Sequence, residues 1–224
     1  WAGGNMQSLA LLRLPGQSWM ARWQLVQAML LFAGAPLGCA ILLLAAINAL
    51  TGGAASTPTG WLILLLVASW ACYYAPKLAG YAEMLLKPEL AATYGGREEV
   101  LRDAAAEIAF TTLMEPARLM AQSLFLVAVP FGLKVGWAPQ NRADRGVSWL
   151  DAARQFWPAT LAGLVLTAAF AIASPLALLL VAPVLASLLL AIPFAVVTAD
   201  ASFSAWLRQE EICALPEEIP GGVR

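Results

Sequence analysis

From Trp23 to Pro76 the chain reads WQLVQAMLLFAGAPLGCAILLLAAINALTGGAASTPTGWLILLLVASWACYYAP, without one charged side chain. A helix that crosses a bilayer needs roughly 20 consecutive apolar residues, and this stretch holds two such lengths. Between them lies TGGAASTPTG, Thr51–Gly60, whose Gly, Pro and small polar residues mark a turn. The pattern recurs between Arg154 and Asp200, again uncharged, with a tighter break at Ser174–Pro175. Spans are therefore predicted near 25–50, 60–76, 156–173 and 176–198. The fold class is an all-α membrane protein, with four transmembrane helices as two hairpins plus amphipathic interfacial helices.

Composition agrees. Of the 224 residues, 61% are hydrophobic and 12% charged, and the mean hydropathy is +0.73. Soluble domains lie near roughly 45–50% apolar and 25% charged. A net charge of −1 with no basic cluster gives no electrostatic basis for binding nucleic acid. There is no His, which excludes His-based acid–base chemistry and His metal sites within these residues. Cys39, Cys72 and Cys213 lack metal-type spacing, and the first two lie in apolar runs as small packing residues.

If the open ends of both hairpins lie on one side, all 13 Lys/Arg and all 14 Asp/Glu residues fall on that same side. Short loops rich in Lys and Arg stay in the cytoplasm, so both termini are expected there. Between the hairpins, Glu107, Thr111, Glu115, Arg118 and Gln122 recur at helical spacing and form one polar face. That pattern is read as a helix lying in the cytoplasmic interface. Lys77–Lys87 and GGREEVLRDAAAE join it there. The segment LKVGWAPQNRADRGVSW, Leu133–Trp149, has two readings. It is an aromatic belt with solvated charges, or a mobile loop that recognises a sugar or nucleotide. In the second reading Trp137 supplies a stacking face, Gln140 and Asn141 paired donors and acceptors, and Arg142 or Arg145 a charge for a diphosphate.

WAGGNMQSLALLRLPG, RWQLVQAMLLFAGAPL, VGWAPQNRADRGVSW and the Pro-rich final hairpin resemble, in order, the C-terminal membrane region of the glucans biosynthesis glucosyltransferase H family. These are inverting family 2 glycosyltransferases, distantly similar to bacterial cellulose synthase. The resemblance implies six segments: an interfacial helix after the catalytic domain over 1–18, a transmembrane hairpin over 19–76 and a cytoplasmic or interfacial segment over 77–132. A candidate gating loop over 133–149, a second hairpin over 150–199 and a cytoplasmic tail over 200–224 follow.

In the family a Q-x-x-R-W motif closes the catalytic domain, and Trp1 resembles its last letter, which stacks on the terminal sugar of the acceptor. The gating loop resembles Leu133–Trp149, assigning nucleotide contacts to Trp137, Gln140, Asn141 and Arg142. Where cellulose synthases carry Phe-x-Val-Thr, this chain has Leu133, Lys134, Val135 and Gly136, so the Thr hydroxyl is missing.

Family members hold UDP and a divalent metal with aspartates. Asp103, Asp144, Asp151 and Asp200 include no D-x-D pair, so no catalytic residue or metal ligand is expected in this stretch. Mg²⁺ or a similar cation would be bound by the missing upstream domain. What the resemblance implies is transfer of glucose from UDP-glucose to a growing β-1,2-glucan, for osmoregulated periplasmic glucans. The setting would be the inner membrane of a Gram-negative bacterium, with acyl carrier protein as a partner. The alternatives are another processive glycan synthase and a non-enzymatic membrane scaffold or transporter part.

Overall fold

A computed structural model describes residues 8–53, 58–132 and 146–215, and side chains from residue 10 onward except that of Pro130. Among these, every regular element is helical. A 3-10 turn, Ser8–Arg13, leads to α1 (Trp19–Leu50). Then come α2 (Thr59–Leu86), α3 (Pro88–Thr93), α4 (Arg97–Ala128) and a 3-10 turn at Val129–Phe131. The chain resumes with α5 (Trp149–Ala173), α6 (Pro175–Leu189), α7 (Ala191–Thr198) and α8 (Ala201–Gln209).

The ends follow local chemistry. Ser18 caps α1, its hydroxyl accepting from the Ala21 N–H at 3.2 Å. Gly52, at φ +85°, takes the left-handed turn after Thr51 that a side chain would resist. Lys87 is extended because Pro88 follows it, and α2 stops there. Ser148 caps α5, accepting from the Asp151 N–H at 3.1 Å while donating to the Asp151 carboxylate. Ser174 ends α5 and caps α6, with Pro175 in the first helical position, where no N–H is needed.

α1, α2 and α5 are each long and apolar enough to cross a membrane. α6 and α7 meet the same test only together, bent by 56° at Leu190, so the number of spans is three, or four if the bent pair counts as one. The sequence predicts one span near 176–198, and the structure breaks that stretch at Leu190. Pro193 explains the difference: it lacks the N–H that would bond the Leu189 carbonyl, and its ring crowds that group.

α2 carries both the span expected near 60–76 and the amphipathic piece expected over Lys77–Lys87 in one element. It runs through Pro76 and Lys77 to Leu86 without a break.

The bundle is built from α1, α4, α5 and α6. Its centre is Phe170, Leu185 and Leu188 among alanines such as Ala46, Ala117, Ala159 and Ala191. Small residues let membrane helices approach closely. Gly163 marks the tightest crossing: a Cβ there would lie 3.0 Å from Leu188 Cβ and from the Leu189 backbone N. Large apolar side chains such as Leu31, Leu44, Leu64 and Ile172 face outward, as a bilayer allows and water does not. α1 packs on α4 and α5, and α2 meets the bundle through α4. The first two spans thus do not lie against each other along their lengths.

Two side chains repair the backbone where prolines sit inside helices. Pro36 deprives the Phe32 carbonyl of its partner within α1, and Gln122 of α4 donates its amide to that oxygen at 3.2 Å. Ser187, fully buried, accepts from the Ala117 N–H at 3.2 Å and donates to the Leu113 carbonyl at 2.5 Å, beside Pro116. A straight helix would pair those two groups with each other. Gln122→Leu should therefore cost about 1–3 kcal/mol, the penalty for a buried acceptor left unmet. In a Pro36→Ala background, where the restored backbone N–H can take the carbonyl, the same change should cost much less. A double-mutant cycle of detergent melting curves checks this, and additive losses would refute the pairing.

Candidate functional site: a polar seam on the flank of an apolar bundle

The polar face of α4 is turned against α2 and α1. Lys77 Nζ lies 2.5 Å from Glu107 Oε1 and 3.0 Å from Thr111 Oγ1. Tyr81 donates to the other Glu107 oxygen. One turn along, the hydroxyls of Tyr74 and Thr112 meet at 2.7 Å. Residue numbers fall along α2 as they rise along α4, so the two helices run antiparallel.

The seam continues past these contacts. Arg118 Nε reaches both Glu115 oxygens at 3.0 Å, and its Nη1 donates to Gln122 at 3.3 Å. Tyr73 faces Glu115 from α2. The Glu115 side chain is 14% exposed, but that of Arg118 is 52% exposed. Around them stand aromatic rings, with Trp70 stacked on Tyr74 at 5.3 Å and Tyr73 edge-on to Tyr74 at 5.0 Å.

The level of these groups matters more than their number. At 1.5 Å per residue, Lys77 lies about 27 Å beyond Thr59 and Tyr73 about 21 Å. A hydrocarbon layer about 30 Å thick that begins at Thr59 has Lys77 near its far edge. Arg118, one turn beyond Glu115, is then inside that layer. A charged side chain facing hydrocarbon is costly. The open side of Glu115–Arg118 therefore needs a polar neighbour, either water or a hydroxyl-rich molecule.

The segment at 77–132 was expected to lie in the interface. The second half of α4 packs against Phe32 and Cys39 of α1 and Ser187 of α6. Of its polar residues, Gln122 and Ser123 find partners across the helix contact, while Glu115 and Arg118 pair within α4. The start of α4 carries the tail. Cys213 N donates to Asp103 Oδ1 at 3.0 Å, and Arg102 donates to the Glu211 carbonyl at 3.2 Å. Burial, and then the Asp103 carboxylate, raise the Cys213 thiol above its ordinary value. At the start of α8 the hydroxyl and N–H of Ser202 hold the Asp200 carboxyl below the usual range.

Trp1 lies outside the described residues, and so do Trp137, Gln140, Asn141 and Arg142. The described end of their loop is anchored: a Cβ on Gly146 would lie 3.2 Å from the Ala199 carbonyl, and Trp149 is exposed. The seam partners on α2 were not singled out from the sequence. A signal was there, since Trp70, Tyr74, Lys77 and Tyr81 recur at spacings of four, three and four, one face of a helix. Among the described residues no group of three or more Cys, Asp or Glu side chains is placed to hold a metal ion.

No family model and no solved structure matches the chain. Curated relatives do. The chain is 28% identical over 98% of its length to a protein named glucans biosynthesis glucosyltransferase H from Vibrio cholerae, covering 33% of that protein. The protein of the same name from Caulobacter vibrioides is 27% identical over 97% of the chain, with 36% of its own length covered. That from Pseudomonas putida is 30% identical over 65% of the chain, with 17% covered. The chain is thus a relative, along nearly all of its length, of the bacterial proteins named glucans biosynthesis glucosyltransferase H, and spans about a third of the first of them.

Proposed function

We propose that this chain is the membrane part of a glucosyltransferase that elongates a β-1,2-glucan from UDP-glucose, and that the α2–α4 seam guides the product. The observation that carries this reading is the Glu115–Arg118 pair, its Arg118 half exposed and Tyr73 facing its Glu115, on the flank of an apolar span. A glucan is suited to such a surface. Its hydroxyls satisfy carboxylate, guanidinium and amide groups, and its C–H faces lie on aromatic rings. The names of the relatives support glucosyl transfer. The setting is the inner membrane of a Gram-negative bacterium with both ends cytoplasmic, and the product serves the osmoregulated periplasmic glucans. Acyl carrier protein is a proposed partner, and Mg²⁺ belongs to the rest of the protein.

Within this reading Trp1 stacks on the acceptor sugar, and Trp137, Gln140, Asn141 and Arg142 close over the nucleotide. In the full-length enzyme Trp1→Ala should weaken acceptor elongation by about 1–3 kcal/mol, by analogy with aromatic–base stacking, and leave UDP-glucose binding unchanged. Arg142→Ala should lower turnover by about 10², the scale for losing one donor to developing charge. Trp149→Ala, beside the span, is the control. Radiolabelled glucose incorporation and product length measure both effects. Full elongation by Trp1→Ala and Arg142→Ala enzymes would remove these roles.

A further inference from the structure

A second feature lies away from the seam. α1, α2, α4, α5 and α6 line a partly open cavity of about 760 Å³, within the range of roughly 300–1,000 Å³ for ligand pockets. Among its lining side chains only Cys39, Asn48 and Ser69 are polar, and Cys39 already meets Ser123 at 3.3 Å. A glucan would leave most of its hydroxyls unmet there, and water has too few partners to stay.

The dimensions point to an occupant. On α1 the lining runs from Gly38 to Ala49, about 16 Å at 1.5 Å per residue. That is half of a hydrocarbon layer about 30 Å thick, the depth of one leaflet. One end is level with the last turn of α1, where Asn48 sits, and the other stops at mid-helix. α1 and α2 do not pack along each other, so the space can be entered between them.

We propose that this cavity is a lipid site that holds one acyl chain of a phospholipid, taken from the leaflet on the side of the α1–α2 turn. The chain lies between α1 and α2, filling the gap that these helices leave. The headgroup remains at the level of Asn48 and Thr51. This site does not depend on the seam or on the sugar chemistry.

Photo-crosslinking of the full-length protein in nanodiscs tests the site, using a phosphatidylethanolamine with a diazirine near the end of one acyl chain. Peptide mapping should place label on the cavity-facing residues Cys39, Leu42, Ala45, Leu166 and Phe170, as well as on outward positions such as Leu31 and Ile172. Ala45→Trp or Leu65→Trp should lower label inside the cavity at least threefold and leave the outward positions unchanged. Label confined to outward positions in the unmodified protein would overturn the proposal. So would a crosslink from a cavity position to another segment of the same chain, or sugar retained in the cavity. Because the unmodified protein is decisive, misfolding of a Trp variant does not rescue or sink the idea. The result is also separate from glucan synthesis, which can fail while the lipid remains.

Discussion

Gly163→Leu should yield no folded bundle, and Gly163→Ala should melt well below the wild-type protein. A Cβ at this position meets Leu188 Cβ and Leu189 N at 3.0 Å and the Leu188 carbonyl carbon at 3.2 Å. Two of those three atoms are backbone and cannot swing aside. α5 must then move off α6, and the packing of Leu166 and Phe170 on Leu185 and Leu188 loosens with it. Forcing one extra methyl into a packed contact costs about 1–3 kcal/mol, against a total stability of about 5–15 kcal/mol. A Leu side chain adds three more carbons and should exceed what the bundle can absorb. Gly34→Ala and Gly38→Ala are the controls, because a Cβ at either meets no atom within 4 Å. They should be neutral or stabilise by up to about 1 kcal/mol through helix propensity. Gel filtration in detergent and melting curves separate the cases. Gly163→Ala melting with the controls would mean that the crossing is not limiting.

The second large effect is expected at the seam. Glu115→Leu removes the carboxylate from Arg118 and leaves its guanidinium only Gln122 on the flank of an apolar span. Insertion scales put such a residue at about 2.5–3.5 kcal/mol, and the lower end applies because Arg118 is half exposed and can snorkel. Glu115→Leu/Arg118→Leu should recover most of this loss, since replacing both members of a pair by apolar groups is often neutral or stabilising. Function should then separate from folding. In the full-length enzyme the double variant should fold and bind UDP-glucose but release much less glucan. Melting curves and product trapped inside inverted vesicles, or recovered from the periplasm of cells, provide the two readouts. Wild-type glucan release by the folded double variant would show that the seam is a structural contact and not a product track.

How far the residues alone reach depends on how local each cause is. The uncharged run from Trp23 to Pro76 requires membrane helices because hydrocarbon offers no partner for charge or open backbone. The turn at Thr51–Gly60 and the caps at Ser148 and Ser174 follow from side-chain chemistry within three residues of the chain. The polar face from Glu107 to Gln122 is likewise fixed by helical spacing. Prolines are where this reading weakens. Pro36, Pro76, Pro116, Pro158 and Pro183 all sit inside continuous helices, yet at Pro193 the helix bends by 56°. For Pro36 the reason is visible: Gln122, 90 positions away from Phe32 in the chain, meets the carbonyl that the proline leaves open.

The sequence by itself determined an all-helical membrane chain, its main turns, the existence of a polar face on α4 and the resemblance that curated relatives bear out. Tertiary structure alone decided which way that face points. It brought Lys77 and Tyr81 to Glu107 across some thirty residues, carried α2 past Lys77, and set α1 against α4 and α5 rather than against α2. The physical reason is range. Periodicity and capping are settled by neighbours within a turn or two, whereas the partner of a polar face is chosen by the packing of helices far apart in the chain.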